Sequence, residues 1–92
     1  MNTYLLIYAN NLGSREKLVK VLNSIPEVKR WRYDMPNCFY IHSELEAKPL
    51  VDAIRTQCGG QGRCLMLEIE KYSGWLPKDT WDFIKKYQGD KE

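Results

Sequence analysis

The chain has 92 residues, a formal net charge of +2, and a composition that is 43% hydrophobic and 28% charged. This length supports one domain with a two-layer core and excludes a second independent core. The composition is typical of a globular rather than a disordered protein. The small net charge lacks the basic excess of a dedicated nucleic-acid-binding domain, but it allows a local basic patch. We predict a single domain over residues 1–88 and a polar tail over 89–92.

The sequence predicts a cytoplasmic protein without membrane association. Its start lacks the basic and apolar regions of a secretory signal, and no apolar stretch approaches the ~20 residues of a membrane span. The cysteines Cys38, Cys58 and Cys64 are odd in number and form no CxxC pair, and His42 is the single histidine. We therefore expect reduced thiols, no zinc or other metal site, and no cofactor.

The first third of the chain predicts a strand followed by a helix. Thr3–Ala9 is an almost continuous apolar run of β-forming residues, and Asn10–Gly13 interrupts it with loop residues. Ser14 is a favourable N-cap, and Pro26 ends the helix. Between them, apolar residues recur at the spacing of one helical face: Leu18, Val21, Leu22 and Ile25.

The middle of the chain predicts a β-hairpin. Val28–Tyr33 and Cys38–His42 both alternate in character, and the turn-forming residues 34–37 join them. Ser43–Glu46 then matches a capping box before a second amphipathic helix. Pro49 conflicts with a start at Ser43, so we expect a loose first turn or a true start near Glu46.

The last third predicts a strand, an extension and a helix. Cys64–Glu70 alternates, an aromatic segment over Tyr72–Leu76 follows, and Pro77 opens a helix near Lys78–Tyr87. The order β-α-β-β-α-β predicts an α+β, ferredoxin-like sandwich with a C-terminal strand and helix. Right-handed crossovers place both crossover helices on one face of its antiparallel sheet.

The alternation also predicts which strand residues face the two crossover helices. The expected helix-facing set is Leu5, Ile7, Trp31, Tyr33, Phe39, Ile41, Leu65, Leu67 and Ile69. The expected opposite set is Tyr4, Leu6, Tyr8, Arg30, Arg32, Tyr40, His42, Met66 and Glu68. That second face is too apolar to remain bare, so the C-terminal segment, a second copy or nucleic acid is expected to cover it.

The frame resembles the small ferredoxin-like subunit of the CRISPR spacer-acquisition complex, and more closely its SinR-like single-domain relatives. The residues that carry the resemblance are Tyr4–Tyr8, Trp31–Tyr33, Cys38–Ile41, Leu65–Ile69, and Gly74–Pro77 with Trp81. The resemblance spans nearly the whole chain through short hydrophobic motifs. It implies the same fold, homodimers, and for some relatives a role in defence or toxin–antitoxin systems.

The same resemblance bears on nuclease activity. Nuclease members of the superfamily carry an aspartate after the first strand that binds a divalent cation. Here Ala9 stands at that position, followed by Asn10 and Asn11. Magnesium sites use one or two carboxylates, for which a neutral amide is a poor substitute. We therefore predict no catalytic residues, unless displaced ligands among Asp34, Glu68 and Glu70 form a metal-dependent endoribonuclease.

Lys29, Arg30 and Arg32 form a basic cluster interleaved with Trp31 and Tyr33. Arginine beside aromatic rings suits binding to phosphate and stacking with bases, whereas the alternative is a solvated strand edge that cations protect from aggregation. The predicted nucleic-acid-binding residues are these three cations with Asn10 and Asn11. The alternative for the asparagines is a structural role in the loop.

The second face supplies the predicted homodimer interface. Its residues are Tyr4, Tyr8, Tyr40, His42, Met66 and Trp75. We expect a non-catalytic, dimeric interaction module that binds nucleic acid or a partner protein in a defence, toxin–antitoxin or mobile-element context. The alternatives are the displaced-ligand endoribonuclease and a protein-binding antitoxin or phage inhibitor.

Overall fold

The computed structural model describes residues 1–87, which form an α+β fold of four antiparallel strands and three helices. The elements are β1 (Asn2–Tyr8), α1 (Arg15–Ser24), β2 (Val28–Arg32), β3 (Cys38–Ser43), α2 (Ala47–Gln57), β4 (Cys64–Glu68) and α3 (Lys78–Lys85). The predicted order of the first six elements is confirmed. The predicted tail over 89–92 lies outside the described residues. Within residues 1–87, no helix combines the length and apolar character needed to cross a membrane.

The sheet has the strand order β2-β3-β1-β4, and every neighbouring pair is antiparallel. The central strand β1 places Leu5 opposite Tyr40 of β3 and opposite Leu67 of β4. Strands β2 and β4 are therefore the two edges of the sheet. They are the places where a further chain can add to the sheet by backbone hydrogen bonds.

The main core lies between one face of the sheet and the helices α1 and α2. Ser14 caps α1 by accepting a hydrogen bond from the backbone N–H of Lys17. Helix α2 begins at Ala47 with Glu46 as its N-cap, which confirms the later of the two expected starts. The buried core residues are Tyr4, Leu6, Tyr8, Leu12, Leu18, Val21, Leu22, Ile25, Phe39, Ile41, Leu50 and Ile54.

The predicted facing of β1 and β4 is wrong, whereas that of Phe39 and Ile41 in β3 is confirmed. Tyr4 lies opposite Ile41 in the sheet, and opposite residues of antiparallel strands share a face. Tyr4, Leu6, Tyr8 and Met66 therefore point towards the helices rather than away from them. Tyr4 is tolerated there because its hydroxyl donates a 2.8 Å hydrogen bond to the backbone oxygen of Leu45.

Helix α3 packs across the other face of the sheet, so one of the three expected covers of that face is confirmed. Phe83 and Ile84 bury against Tyr40, with Leu5 and Trp81 partly buried beside them. The expected C-terminal strand is absent from residues 70–77. The ladder ends where the N–H of Ile69 donates to the oxygen of Thr3, after which Gly74 and Pro77 oppose a further regular strand.

Candidate nucleic-acid interface

The edge strand β2 carries the predicted cations and a β-bulge. Val28 lies opposite Ser43, whereas Arg30 lies opposite His42, so Lys29 is the extra residue on β2. Its ammonium pairs with Glu44 at 3.2 Å and donates to the oxygen of Pro26 at 3.0 Å. A bulge twists an edge strand and disrupts regular pairing there. Much of the charge of Lys29 is compensated within the chain.

Arg30 and Arg32 occupy the face of β2 that lies beside α3. The guanidinium of Arg30 lies 4.8 Å from the centre of the Phe83 ring, a cation–π distance, and its side chain stays exposed. Arg32 is half-buried, and its Nε has no hydrogen-bond partner within residues 1–87. Because this Nε is enclosed by the chain itself, leaving it unpaired is unfavourable for the folded state.

The other face of β2 presents a stack of aromatic rings capped by an arginine. The rings of Trp31 and Tyr33 are parallel within 4° with centres 6.4 Å apart, and Phe39 meets both edge-on. The guanidinium of Arg15 lies 4.1 Å from the centre of the Tyr33 ring. Tyr33 is 39% exposed, so this stack reaches the surface. Sequence reasoning missed Arg15, because only the fold brings the start of α1 beside the end of β2.

The structure does not bring all predicted nucleic-acid residues together. Asn10 and Asn11 follow the C-terminal end of β1. Lys29 and Arg30 lie far from them, at the other end of the sheet. The side-chain oxygen of Asn10 accepts from Asn37, and that of Asn11 accepts from the backbone N–H of Arg63. Both amides thus connect loops, which agrees with their structural alternative.

Most of the predicted dimer-interface residues are covered by the chain itself. Tyr4 and Tyr8 lie in the main core, and Tyr40 and His42 lie under α3. Met66 is half-buried against the main core, and Trp75 is fully exposed. The reason is the facing of β1 and the docking of α3, which fill the surface expected for a second chain. Dimerisation itself stays a prediction.

His42 lies in a closed environment between the sheet and α3. Its ring stacks on Phe83 at 4.0 Å with an 8° tilt, and Tyr87 meets it edge-on. Burial, reinforced by the charges of Arg30 and then Lys86, lowers the pKa of His42 from 6.5 to about 4, while the nearby Phe83 backbone acts in the opposite direction. The imidazole is therefore neutral at neutral pH and fully enclosed, which does not suit a general base acting on a substrate.

Asp34 anchors α3 to the sheet through its carboxylate. Its carboxylate accepts hydrogen bonds from the hydroxyl groups of Tyr40 at 3.1 Å and Thr80 at 2.5 Å. Burial foremost, followed by the charge of Asp34, raises the pKa of Tyr40 to about 12. Within residues 1–87, no three histidine, cysteine or acidic side chains are grouped so that they could hold a metal ion. The geometry therefore offers no support for displaced ligands at Asp34, Glu68 and Glu70.

No protein-family model matches this chain, and neither a curated protein nor a solved structure matches it significantly. The resemblance to the CRISPR-associated and SinR-like proteins therefore stays a prediction. The functional argument rests on the geometry of the β2 edge.

Proposed function

We propose that this protein is a non-catalytic, ferredoxin-like, homodimeric module that binds nucleic acid along its β2 edge. The fold assignment is supported by the strand order β2-β3-β1-β4 and by the packing of α1 and α2 on one face of the sheet. In this assignment α3 is an addition on the opposite face. The β2 edge is the binding surface because it joins charge with aromatic rings.

One observation carries the proposal. The edge strand presents Arg30 and Arg32 on one face and the Trp31–Tyr33–Arg15 stack on the other. Arginines bind phosphate oxygens through charge-assisted hydrogen bonds, and exposed rings accept unpaired bases by stacking. A single strand fits both features better than a duplex, whose bases are already stacked.

Fluorescence anisotropy with labelled single-stranded and duplex oligonucleotides, measured over a salt series, tests this function. Binding should weaken steeply with salt, and Arg30→Ala and Arg32→Ala should each reduce the slope of log K against log salt by about one. Lys48→Ala is the matched control, because Lys48 pairs with Asp52 on the exposed side of α2. Undetectable binding at low salt, or an equal loss in the control, would overturn the proposal.

A further inference from the structure

The second sheet edge, β4, directs alternate backbone groups away from β1. The N–H of Ile69 donates to the oxygen of Thr3 at 2.8 Å, and the N–H of Ala9 donates to the oxygen of Arg63 at 3.0 Å. In an antiparallel ladder the N–H and C=O of one residue point to the same side, and the side alternates along the strand. Odd-numbered residues therefore bond to β1. The even-numbered ones, with Met66 at the centre, direct their N–H and C=O outward.

Strand β4 lacks the devices that keep sheet edges apart. Natural edge strands carry lysines, prolines or bulges, and β2 has cations and a bulge. Cys64–Glu68 contains no cation and no proline, and its register with β1 is regular. Leu65 and Leu67 are 54% and 44% exposed, beside Ile7 at 40%. These side chains share a face of the sheet, and they remain exposed although α3 packs on that face.

We propose that β4 pairs with β4 of a second copy of this chain, antiparallel about a two-fold axis at Met66. The inference rests on the homodimer proposed above and specifies where its interface lies. Outward-facing even-numbered residues would then form the hydrogen-bonded pairs, with Met66 opposite Met66 of the second copy. Leu65 would lie opposite Leu67 of the second copy, and the reciprocal contact follows by symmetry. The two sheets would become one continuous sheet, and the exposed leucines would cover each other.

Charge complementarity selects a second copy in this orientation. Arg55 donates through Nε to the oxygen of Gly62 at 3.0 Å, and its charge opposes the burial-driven rise in the pKa of the Cys64 thiol. Arg55 is thus close to the Cys64 end of β4, whereas the exposed Glu68 lies at the other end. The antiparallel pairing brings Glu68 of each copy opposite Cys64 and hence near Arg55 of the other. A parallel pairing would instead place Glu68 near its own equivalent.

Analytical ultracentrifugation over micromolar concentrations is the first test. The double variant Leu65→Lys/Leu67→Lys introduces the charges that protect natural edges, and it should weaken self-association at least tenfold. Trp75→Lys is the matched control, since Trp75 is fully exposed and lies outside β4; its association should equal that of the unaltered chain. Circular dichroism verifies that each variant is folded.

The outcomes separate this inference from the proposed homodimer. A monomeric unaltered chain would overturn both. A dimer that survives the double variant, or that Trp75→Lys disrupts instead, would overturn only the β4 interface. If the unaltered chain is monomeric and binds an extended peptide through β4, the partner of β4 is another protein, and the proposal of a second copy is overturned.

A charge exchange tests the orientation. Arg55→Glu and Glu68→Arg should each weaken self-association about tenfold, because each turns two attractive pairs of the dimer into repulsive ones. An equimolar mixture of the two variants should restore dimers, because the heterodimer pairs a glutamate with an arginine at both contacts. Amide hydrogen exchange of the unaltered chain is the independent measurement. The Met66 N–H should exchange more slowly at high than at low concentration, and equal rates would overturn the pairing.

Discussion

The two edges of this sheet differ in how they meet solvent. Strand β2 has Lys29, Arg30 and Arg32 and a bulge, whereas β4 has exposed leucines and a regular register. Cations and bulges oppose strand-to-strand association and favour anionic ligands, while a flat apolar edge favours another strand. This difference is the basis of the two proposals, nucleic acid at the β2 edge and a second copy of the chain at the β4 edge.

Helix α3 increases the difference between the two edges. It covers its face of the sheet near β2 and β3, and it leaves side chains of β4 on that face exposed. Phe83 stacks on His42 of β3 and lies under the guanidinium of Arg30 of β2. On the same face, Leu67 of β4 remains 44% exposed. On this face, the apolar surface near β2 is thus covered by α3 of the same chain. Among residues 1–87, the leucines of β4 stay exposed.

The largest expected effect comes from removing the cover near β2. Phe83→Ala should lower the free energy of unfolding by about 3 kcal/mol, because it deletes a buried ring and leaves a cavity above His42. Leu67→Ala is the matched control on the same face, and it should lower the free energy of unfolding by less than about 1 kcal/mol. Urea denaturation at a concentration where the chain is monomeric provides both values. Equal losses would mean that α3 does not distinguish the two halves of this face.

The second effect is a pH dependence of stability that arises from His42, which lies under α3. His42 has a pKa of about 4 in the folded chain against 6.5 without burial. The unfolded chain therefore takes up this proton first as pH falls. Stability from this group is complete above about pH 6.5 and declines towards pH 4, by about 3 kcal/mol in total.

The charged groups that face His42 oppose its protonation. Arg30 approaches from β2 and Lys86 from the end of α3, and both are cationic. Within residues 1–87, neither ring nitrogen forms a hydrogen bond of good geometry. His42→Leu should remove this part of the pH dependence, measured by thermal unfolding from pH 4 to 7. An unchanged profile in that variant would assign the dependence to other groups.

The third effect concerns the position of the β4 edge. Gly62 precedes β4 with φ +98°, and an added Cβ would lie 2.5 Å from the Cα of Leu12. Gly62→Ala should therefore lower stability by at least ~2 kcal/mol, through both the left-handed backbone and the clash. Gly60→Ala is the matched control, because Gly60 has φ +76° but open space around it. It should lower stability by about 1 kcal/mol. A smaller loss for Gly62→Ala than for Gly60→Ala would contradict this close contact.

The same comparison explains which parts of the fold were predictable from sequence. In β3, apolar residues alternate with polar ones, so the faces of Phe39 and Ile41 were predicted correctly. In β1 both sets of alternate residues are apolar, and only the register with β3 places Tyr4 inward. In β4 the alternation does contrast, but its more apolar set, Leu65, Leu67 and Ile69, lies on the α3 face, because Met66 pairs with Leu6 of β1 and packs against the main core. Sequence alone does not fix the facing of β1, whose two faces do not contrast, and in β4 it does not show that a helix covers each face of the sheet.

The candidate site was predictable to a similar extent. The cationic cluster of β2 was evident because its residues are consecutive or nearly so along the chain. Arg15 was missed, since its contact with Tyr33 depends on how α1 packs beside β2. Arg55 comes to lie beside the start of β4 in the same way, through the end of α2. Contacts between distant elements were therefore the part that required the structure.

The smallest expected effect tests whether Lys29 acts through its charge or through the fold. The ion pair of Lys29 with Glu44 is exposed, with 43% and 58% of the two side chains accessible, so Lys29→Ala should lower stability by less than about 0.5 kcal/mol. Lys48→Ala provides the matched loss of an exposed pair on α2. Urea denaturation should give similar losses of unfolding free energy for the two variants. A clearly larger loss for Lys29→Ala would show that its ion pair helps to hold the bulge of β2, and the protection of that edge would then depend on structure as well as on charge.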